Sequence, residues 1–202
     1  FLLTPNTTQM FLNPGNDFDQ ITATGNAQVL TVRASGGFDN ITVNDFFGTG
    51  GLVYFDSTIQ LGTLTLNTNG RVLAPASGTA VSVQDLFIDP TAQLDIYDNA
   101  FIWDYTGATP FATLQGYILT GYSGGAWSGF GVASNVAAGT PGTGVGYAEA
   151  TDIFGSFPET FAGLSVDDTA IVSRYTLLGD ADLNRAVNLD DFTRLAAGFG
   201  TA

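Results

Sequence analysis

The sequence predicts a mainly β protein, a β-solenoid or β-sandwich of short strands, with one short helix near residues 110–121 and a chemically distinct loop and helix at the C-terminus. Three observations predict this. Short apolar segments recur about every ten residues between 21 and 103. Gly, Asn, Asp, Pro and Ser separate them, and these are the residues that make turns. Leu64-Thr65-Leu66 with Gly70-Arg71-Val72 returns 22 residues later as Leu86-Phe87-Ile88 with Ala92-Gln93-Leu94. A period of roughly 20–30 residues suits stacked rungs, none of which can bury its apolar face alone. A sandwich gives a similar strand rhythm; the internal match favours the solenoid.

The elements follow in chain order. Phe1-Leu2-Leu3 is a candidate strand, able to pair within the domain or to add to a neighbour's sheet edge. A polar, turn-rich stretch carries the chain through Asn13-Pro14-Gly15. Strands are expected at 21–23, 29–32, 41–43, 52–55, 63–66, 71–73, 81–83, 86–88, 94–96 and 101–103. Gly15-Asn16-Asp17-Phe18-Asp19-Gln20-Ile21 and Gly36-Gly37-Phe38-Asp39-Asn40-Ile41 are similar to the glycine- and aspartate-rich calcium β-roll repeat. That repeat recurs about every nine residues. These copies lie about 20 apart, so they read as turns leading into strands.

Phe111, Leu114, Ile118 and Leu119 fall at helical spacing. Thr109 is positioned to cap this helix and Pro110 to be its first residue. The Gly/Ala/Ser-rich run 123–147 reads as a long loop anchored by Trp127, Phe130 and Val132. Strands return over 153–178, most clearly at 171–178. The chain thus divides into a β-rich domain, 1–178, and a C-terminal unit, 179–202.

Composition narrows the chemistry. The 202 residues include 17 Asp, 2 Glu and 5 Arg, with no Lys, His or Cys, for a net charge of −14. Nucleic acids and anionic membranes are bound through basic patches, so both are excluded as partners. No apolar run approaches the roughly 20 residues of a membrane span. Without Cys there are no disulfides and no thiolate sites. Without His the usual general base and most transition-metal sites are gone. Asp favours loops, so the acidic excess is expected in loops, most of it as solvated surface. The chain begins at Phe1, with no leader, and reads as processed or cut from a longer one.

One motif carries chemistry. From Gly179 the chain runs Asp180-Ala181-Asp182-Leu183-Asn184-Arg185-Ala186-Val187-Asn188-Leu189-Asp190-Asp191-Phe192. Asp180, Asp182 and Asn184 stand at positions one, three and five of an EF-hand-like calcium loop. Ala186, at seven, offers its backbone carbonyl. Asn188, at nine, binds directly or through water, and Asp191, at twelve, closes the site. Alternate side chains point at an ion the loop wraps, and Val187 is expected to pack inward. All the donors are hard oxygens, which selects calcium. Arg185 stands where Gly usually makes a sharp turn, at a cost of about 1 kcal/mol. Phe192, Leu195, Ala196 and Phe199 form one face of a following helix, which Gly198 or Gly200 ends.

On these residues the segment 179–199 resembles a type I dockerin repeat, which uses Asp at position twelve. A wider resemblance rests on Asp104-Tyr105-Thr106-Gly107, Leu114-Gln115-Gly116-Tyr117, Gly121-Tyr122-Ser123-Gly124-Gly125-Ala126-Trp127, Gly146-Tyr147-Ala148-Glu149-Ala150 and Arg174-Tyr175-Thr176-Leu177-Leu178. From about Leu64 onward the chain looks like the C-terminal region of large secreted proteins of planctomycete-type bacteria, with autotransporter-like β-repeats and a dockerin-like tail. The resemblance implies an extracellular or cell-surface location. It implies no enzyme.

Three functions compete. The first is a structural protein that self-associates into a filament or surface layer and is stabilised by calcium. The second is an adaptor docking onto a cohesin-like protein, although a complete dockerin has two calcium repeats and this chain carries one. The third is an enzyme acting on polysaccharides, with Asp95 and Asp98 or Asp167 and Asp168 as paired carboxylates and Trp103 or Trp127 as a stacking platform. The expectation is no enzyme and no catalytic residue; these pairs read as turn residues and the tryptophans as core.

Overall fold

The structure, a computed structural model, describes residues 10–12, 20–23, 29–32, 38–44 and 52–198. The chain is mainly β. Odd-numbered strands β1 (Met10–Leu12), β3 (Val29–Val32), β5 (Leu52–Phe55), β7 (Arg71–Leu73), β9 (Gln93–Asp95) and β11 (Gly131–Ala133) line up side by side in one sheet. Even-numbered strands β2 (Gln20–Ala23), β4 (Asp39–Val43), β6 (Ile59–Leu66), β8 (Ala80–Ile88) and β10 (Ala100–Asp104) line up in a second. Every pair among these strands is parallel. Partners lie about 20 residues apart, as in Val29 with Leu52, Leu52 with Arg71 and Arg71 with Gln93. The chain therefore alternates between the sheets and advances one strand with each circuit.

One core lies between the two sheets. Val53, Phe55, Val72 and Leu94 of the first meet Ile41, Leu61, Leu64, Leu66, Val83 and Phe101 of the second, all essentially without solvent contact. At the turns, polar side chains bond from one circuit to the next. Asn67 donates to Asn44 Oδ1 at 2.6 Å, Ser77 donates to Asp98 Oδ2 at 2.8 Å, and Thr79 N–H donates to Asn99 Oδ1 at 3.0 Å. The turn residues that betrayed the repeat thus also satisfy the stacked backbone.

The segments expected at 81–83 and 86–88 form one strand, β8, that changes phase. Val81 and Val83 face the core, then Leu86 and Ile88, with Gln84 and Asp85 both exposed between them. β6 does the same around Gly62 and Thr63, and its register with β4 shifts there. With a side-chain period of two, one extra residue restores the apolar face and leaves two consecutive side chains outside.

β10 ends the parallel run. It pairs antiparallel with β15 (Ala170–Leu177), which pairs antiparallel with β12 (Thr143–Glu149). Beyond lie the hairpin of β13 (Glu159–Phe161) with β14 (Leu164–Val166) and the one-turn helix α3 (Ala150–Ile153). A second apolar cluster forms here around Ile102, Phe161, Val166, Val172 and Leu183.

The expected helix is α1, Phe111–Tyr122. Pro110 sits at its N-cap rather than as its first residue, and Thr109 Oγ1 accepts the Phe111 N–H at 3.1 Å. Leu114, Ile118 and Gly121 make the buried face; Leu119 lies to one side and is exposed. The expected loop at 123–147 is instead largely structured. It contains a 3-10 turn (Ser123–Gly125), β11, α2 (Asn135–Gly139) and most of β12. Ser134 caps α2 by accepting the Ala137 N–H at 3.0 Å and ties it down by donating to Tyr97 O at 2.6 Å. Trp127 and Val132 are buried as expected, but Phe130 is exposed. Phe1-Leu2-Leu3, Gly15, Asp17, Asp19 and Phe199 lie outside the described residues. No helix among the described residues is long and apolar enough to cross a membrane.

Candidate metal centre

β15 delivers the chain into the acidic loop. Gly179, at φ 101°, makes the turn. Asp180 follows, buried, with Thr176 donating its hydroxyl to Oδ2. The Asp180 carboxylate then organises the first half of the loop, accepting the Asn184 N–H at 3.0 Å on Oδ1 and the Arg185 N–H at 2.7 Å on Oδ2. Asp182 accepts from the same Asn184 N–H and from its side-chain amide, at 3.1 and 2.9 Å.

Asp191 joins the two ends of the loop. Its Oδ1 accepts the N–H groups of Ala181 and Asp182 at 2.7 and 3.2 Å, and its Oδ2 accepts that of Asn188 at 2.7 Å. The backbone donor at Asn188, then those of Ala181 and Asp182, hold its carboxyl below the ordinary carboxylate range. Asp182 moves the other way, raised first by burial and then by the neighbouring carboxylates of Asp180 and Asp191. Oxygens of Asp180, Asp182 and Asp191 all lie within 4.8 Å of one another. Negative charge concentrated this way, without a cation among the three, is what a metal ion relieves, and the trio can hold one.

Of the expected ligands, the structure brings these three together. Asn184, Ala186 and Asn188 lie on the same loop and are exposed. Asn184 Oδ1 accepts the Ala186 N–H at 2.8 Å, and Asn188 Oδ1 accepts the Asp190 N–H at 2.7 Å at the start of α4 (Leu189–Gly198). Arg185 takes the left-handed conformation expected at its position, φ 75°. Val187 does not pack inward; it is 53% exposed. The inward apolar residue is Leu183, at 4% exposure, in the second cluster. The apolar face expected on α4 is also bare: Phe192, Leu195 and Ala196 are exposed, as is Leu189 before them.

Arginines fix this unit to the β body, which sequence reasoning missed. Arg174 donates to Leu183 O at 2.7 Å, Arg185 to Asp98 O at 2.7 Å, and Arg194 to Asp152 O and Ile153 O at 2.7 and 3.0 Å. The signal was available in the composition: three of only five basic residues lie in or beside the acidic segment.

Of the other carboxylate pairs, Asp95, Asp98 and Asp167 have structural partners. Asp95 is buried, not a surface turn residue, and its Oδ1 accepts the N–H groups of Tyr97 and Asn135 at 2.9 and 3.0 Å. Asp98 accepts from Ser77, and Asp167 accepts the Thr169 N–H and hydroxyl, both at 2.7 Å. Trp103 and Trp127 are buried. Comparison of the chain with protein-family models, curated proteins and solved structures finds no match.

Proposed function

We propose that this chain is an extracellular or cell-surface structural protein, a β-solenoid that self-associates into a filament or surface layer and is stabilised by calcium in its dockerin-like C-terminal loop. The observation that carries the reading is the convergence of Asp180, Asp182 and Asp191 within 4.8 Å. Two oxygens bound to one calcium ion at about 2.3–2.6 Å can be no more than about 5 Å apart, so the trio has the right span. Asn184, Asn188 and the Ala186 carbonyl complete an all-oxygen donor set. Magnesium demands a tighter octahedron and keeps its waters, so a wrap of three carboxylates suits calcium better. The parallel succession of strands, about 20 residues per circuit, supports the solenoid reading over an antiparallel sandwich.

Calcium that binds only the folded loop stabilises the fold by mass action. At about one hundred times Kd the gain is about 2.7 kcal/mol, or roughly 5–10 °C in Tm for a chain of this length. Thermal unfolding with and without millimolar calcium should show that rise. Asp180→Ala and the milder Asp182→Asn should abolish or sharply reduce it. Electron microscopy of the same samples should show assemblies that dissolve on chelation. No calcium effect on the unsubstituted protein would overturn the metal reading.

A second reading is an adaptor that docks onto a cohesin-like receptor. The exposed Leu189, Phe192 and Leu195 on α4 favour it, since a helix face of this kind fits a partner's groove. Calcium-dependent monomers that bind such a receptor through this face, with no assemblies, would select it.

A further inference from the structure

Where β6 and β8 change phase, the outside of the second sheet carries a groove of about 510 Å³. It runs across the strands. Asn40 comes from β4, Gly62 and Thr63 from β6, Gln84 and Asp85 from β8, and Trp103 from β10, with Tyr105 and Thr106 forming a wall beyond. Neighbouring strands are about 4.8 Å apart, so four successive strands give the groove a length of about 14 Å. One feature keeps it open. The extra residue in β6 and in β8 turns consecutive side chains outward, as bulges beside binding sites do. Gly62 lets the Asn40 side chain and the Phe38 carbonyl lie directly against β6, since a Cβ there would be 2.8 Å from Asn40 Oδ1 and 2.9 Å from Phe38 O.

The lining selects the ligand. Amides of Asn40 and Gln84, hydroxyls of Thr63 and Thr106 and the Asp85 carboxylate supply both donors and acceptors, and no Arg is among the lining residues. Trp103 is buried beneath, its indole N–H already given to Gln84 O at 3.2 Å. A polyanion would meet a carboxylate, no counter-charge, and a chain of net charge −14. An apolar ligand would strand the amides without partners. We infer that this groove binds a neutral, unbranched oligosaccharide, laid across the strands with its hydroxyls on the Asn40, Gln84 and Asp85 side chains. The site is separate from the metal loop and does not depend on it.

Isothermal titration of the whole chain with cellohexaose, xylohexaose, mannohexaose and chitohexaose tests this, with polygalacturonate as the anionic counterpart. At least one neutral hexasaccharide should bind with Kd of about 0.1–1 mM. The double variant Gln84→Ala, Asp85→Ala alters two exposed side chains and should keep the native circular dichroism. It should weaken binding by about tenfold or more, equivalent to about 1.4 kcal/mol. No binding of any neutral hexasaccharide up to about 10 mM, binding only of polygalacturonate, or affinity retained in the folded double variant would each overturn the proposal.

Discussion

At the scale of single residues, Arg185 shows a local rule broken for a distant contact. Its φ of 75° is a conformation that glycine adopts freely and that costs an L-residue about 1 kcal/mol. In return, its guanidinium reaches the Asp98 carbonyl in the turn before β10. The two effects separate experimentally. Arg185→Ala keeps the backbone strain and loses the tether, whereas Arg185→Gly loses the tether and relieves the strain. Urea unfolding of the calcium-free protein should find the Gly variant more stable than the Ala variant by about 1 kcal/mol, the reverse of the usual order in helices and strands. Equal stabilities would mean that position 185 is not held in the left-handed region. The Asp and Asn spacing made this loop legible in the sequence. The partner of Arg185 was not, because a bond spanning 87 residues leaves no local pattern.

At the scale of elements, the parallel strands from β2 to β10 were legible because short apolar segments recur between turn formers, and that pattern is local; β1, Met10–Leu12, lies in a stretch read as polar and turn-rich. The run from 123 to 147 was misread because its structure rests on residues that also make loops. Gly121 and Gly131 let α1 lie directly on the edge strand β11: a Cβ at Gly121 would sit 1.8 Å from Val132 O, and one at Gly131, itself at φ 88°, 2.3 Å from Tyr117 O. α1 thereby closes the last edge of the first sheet, an edge that would otherwise offer unpaired backbone. Glycine here is a packing residue, and composition alone cannot distinguish that from a flexible linker. Two substitutions in the same helix should then have opposite signs. Gly121→Ala must push backbone apart and should destabilise by about 1–3 kcal/mol or more. Gly116→Ala, on the exposed side with nothing within 4 Å of its Cβ, should stabilise by about 0.5–1 kcal/mol. Chemical denaturation of both variants checks the pair, and a harmless Gly121→Ala would rule out the close helix–strand contact.

At the scale of the whole molecule, sequence divides the chain at 178/179, because a β-rich repeat gives way to an acidic loop and an amphipathic helix. The contacts cross that division. Leu183 enters a cluster built from β10, β13, β14 and β15, and Arg174, Arg185 and Arg194 donate to four carbonyls across or beside the boundary. A separate module would bury its own apolar face, yet α4 leaves Leu189, Phe192 and Leu195 in solvent while the loop spends its one fully buried apolar side chain on the β body. Gly146 reinforces this docking, since a Cβ there would lie 2.5 Å from Leu183 Cδ2. Loop and β body should therefore unfold as one cooperative unit, so that an ion held by three carboxylates at one end stabilises strands at the other. Calorimetry should show a single transition, and calcium should move the tryptophan fluorescence of Trp103 and Trp127 and the far-ultraviolet β signal by the same number of degrees. Leu183→Ala should cost about 2–5 kcal/mol, as other buried leucines do, and should lower the calcium-bound and calcium-free midpoints together. Two transitions, with calcium acting on the smaller alone and Leu183→Ala leaving the larger untouched, would instead make the C-terminal unit an independent module and return the adaptor reading to the front.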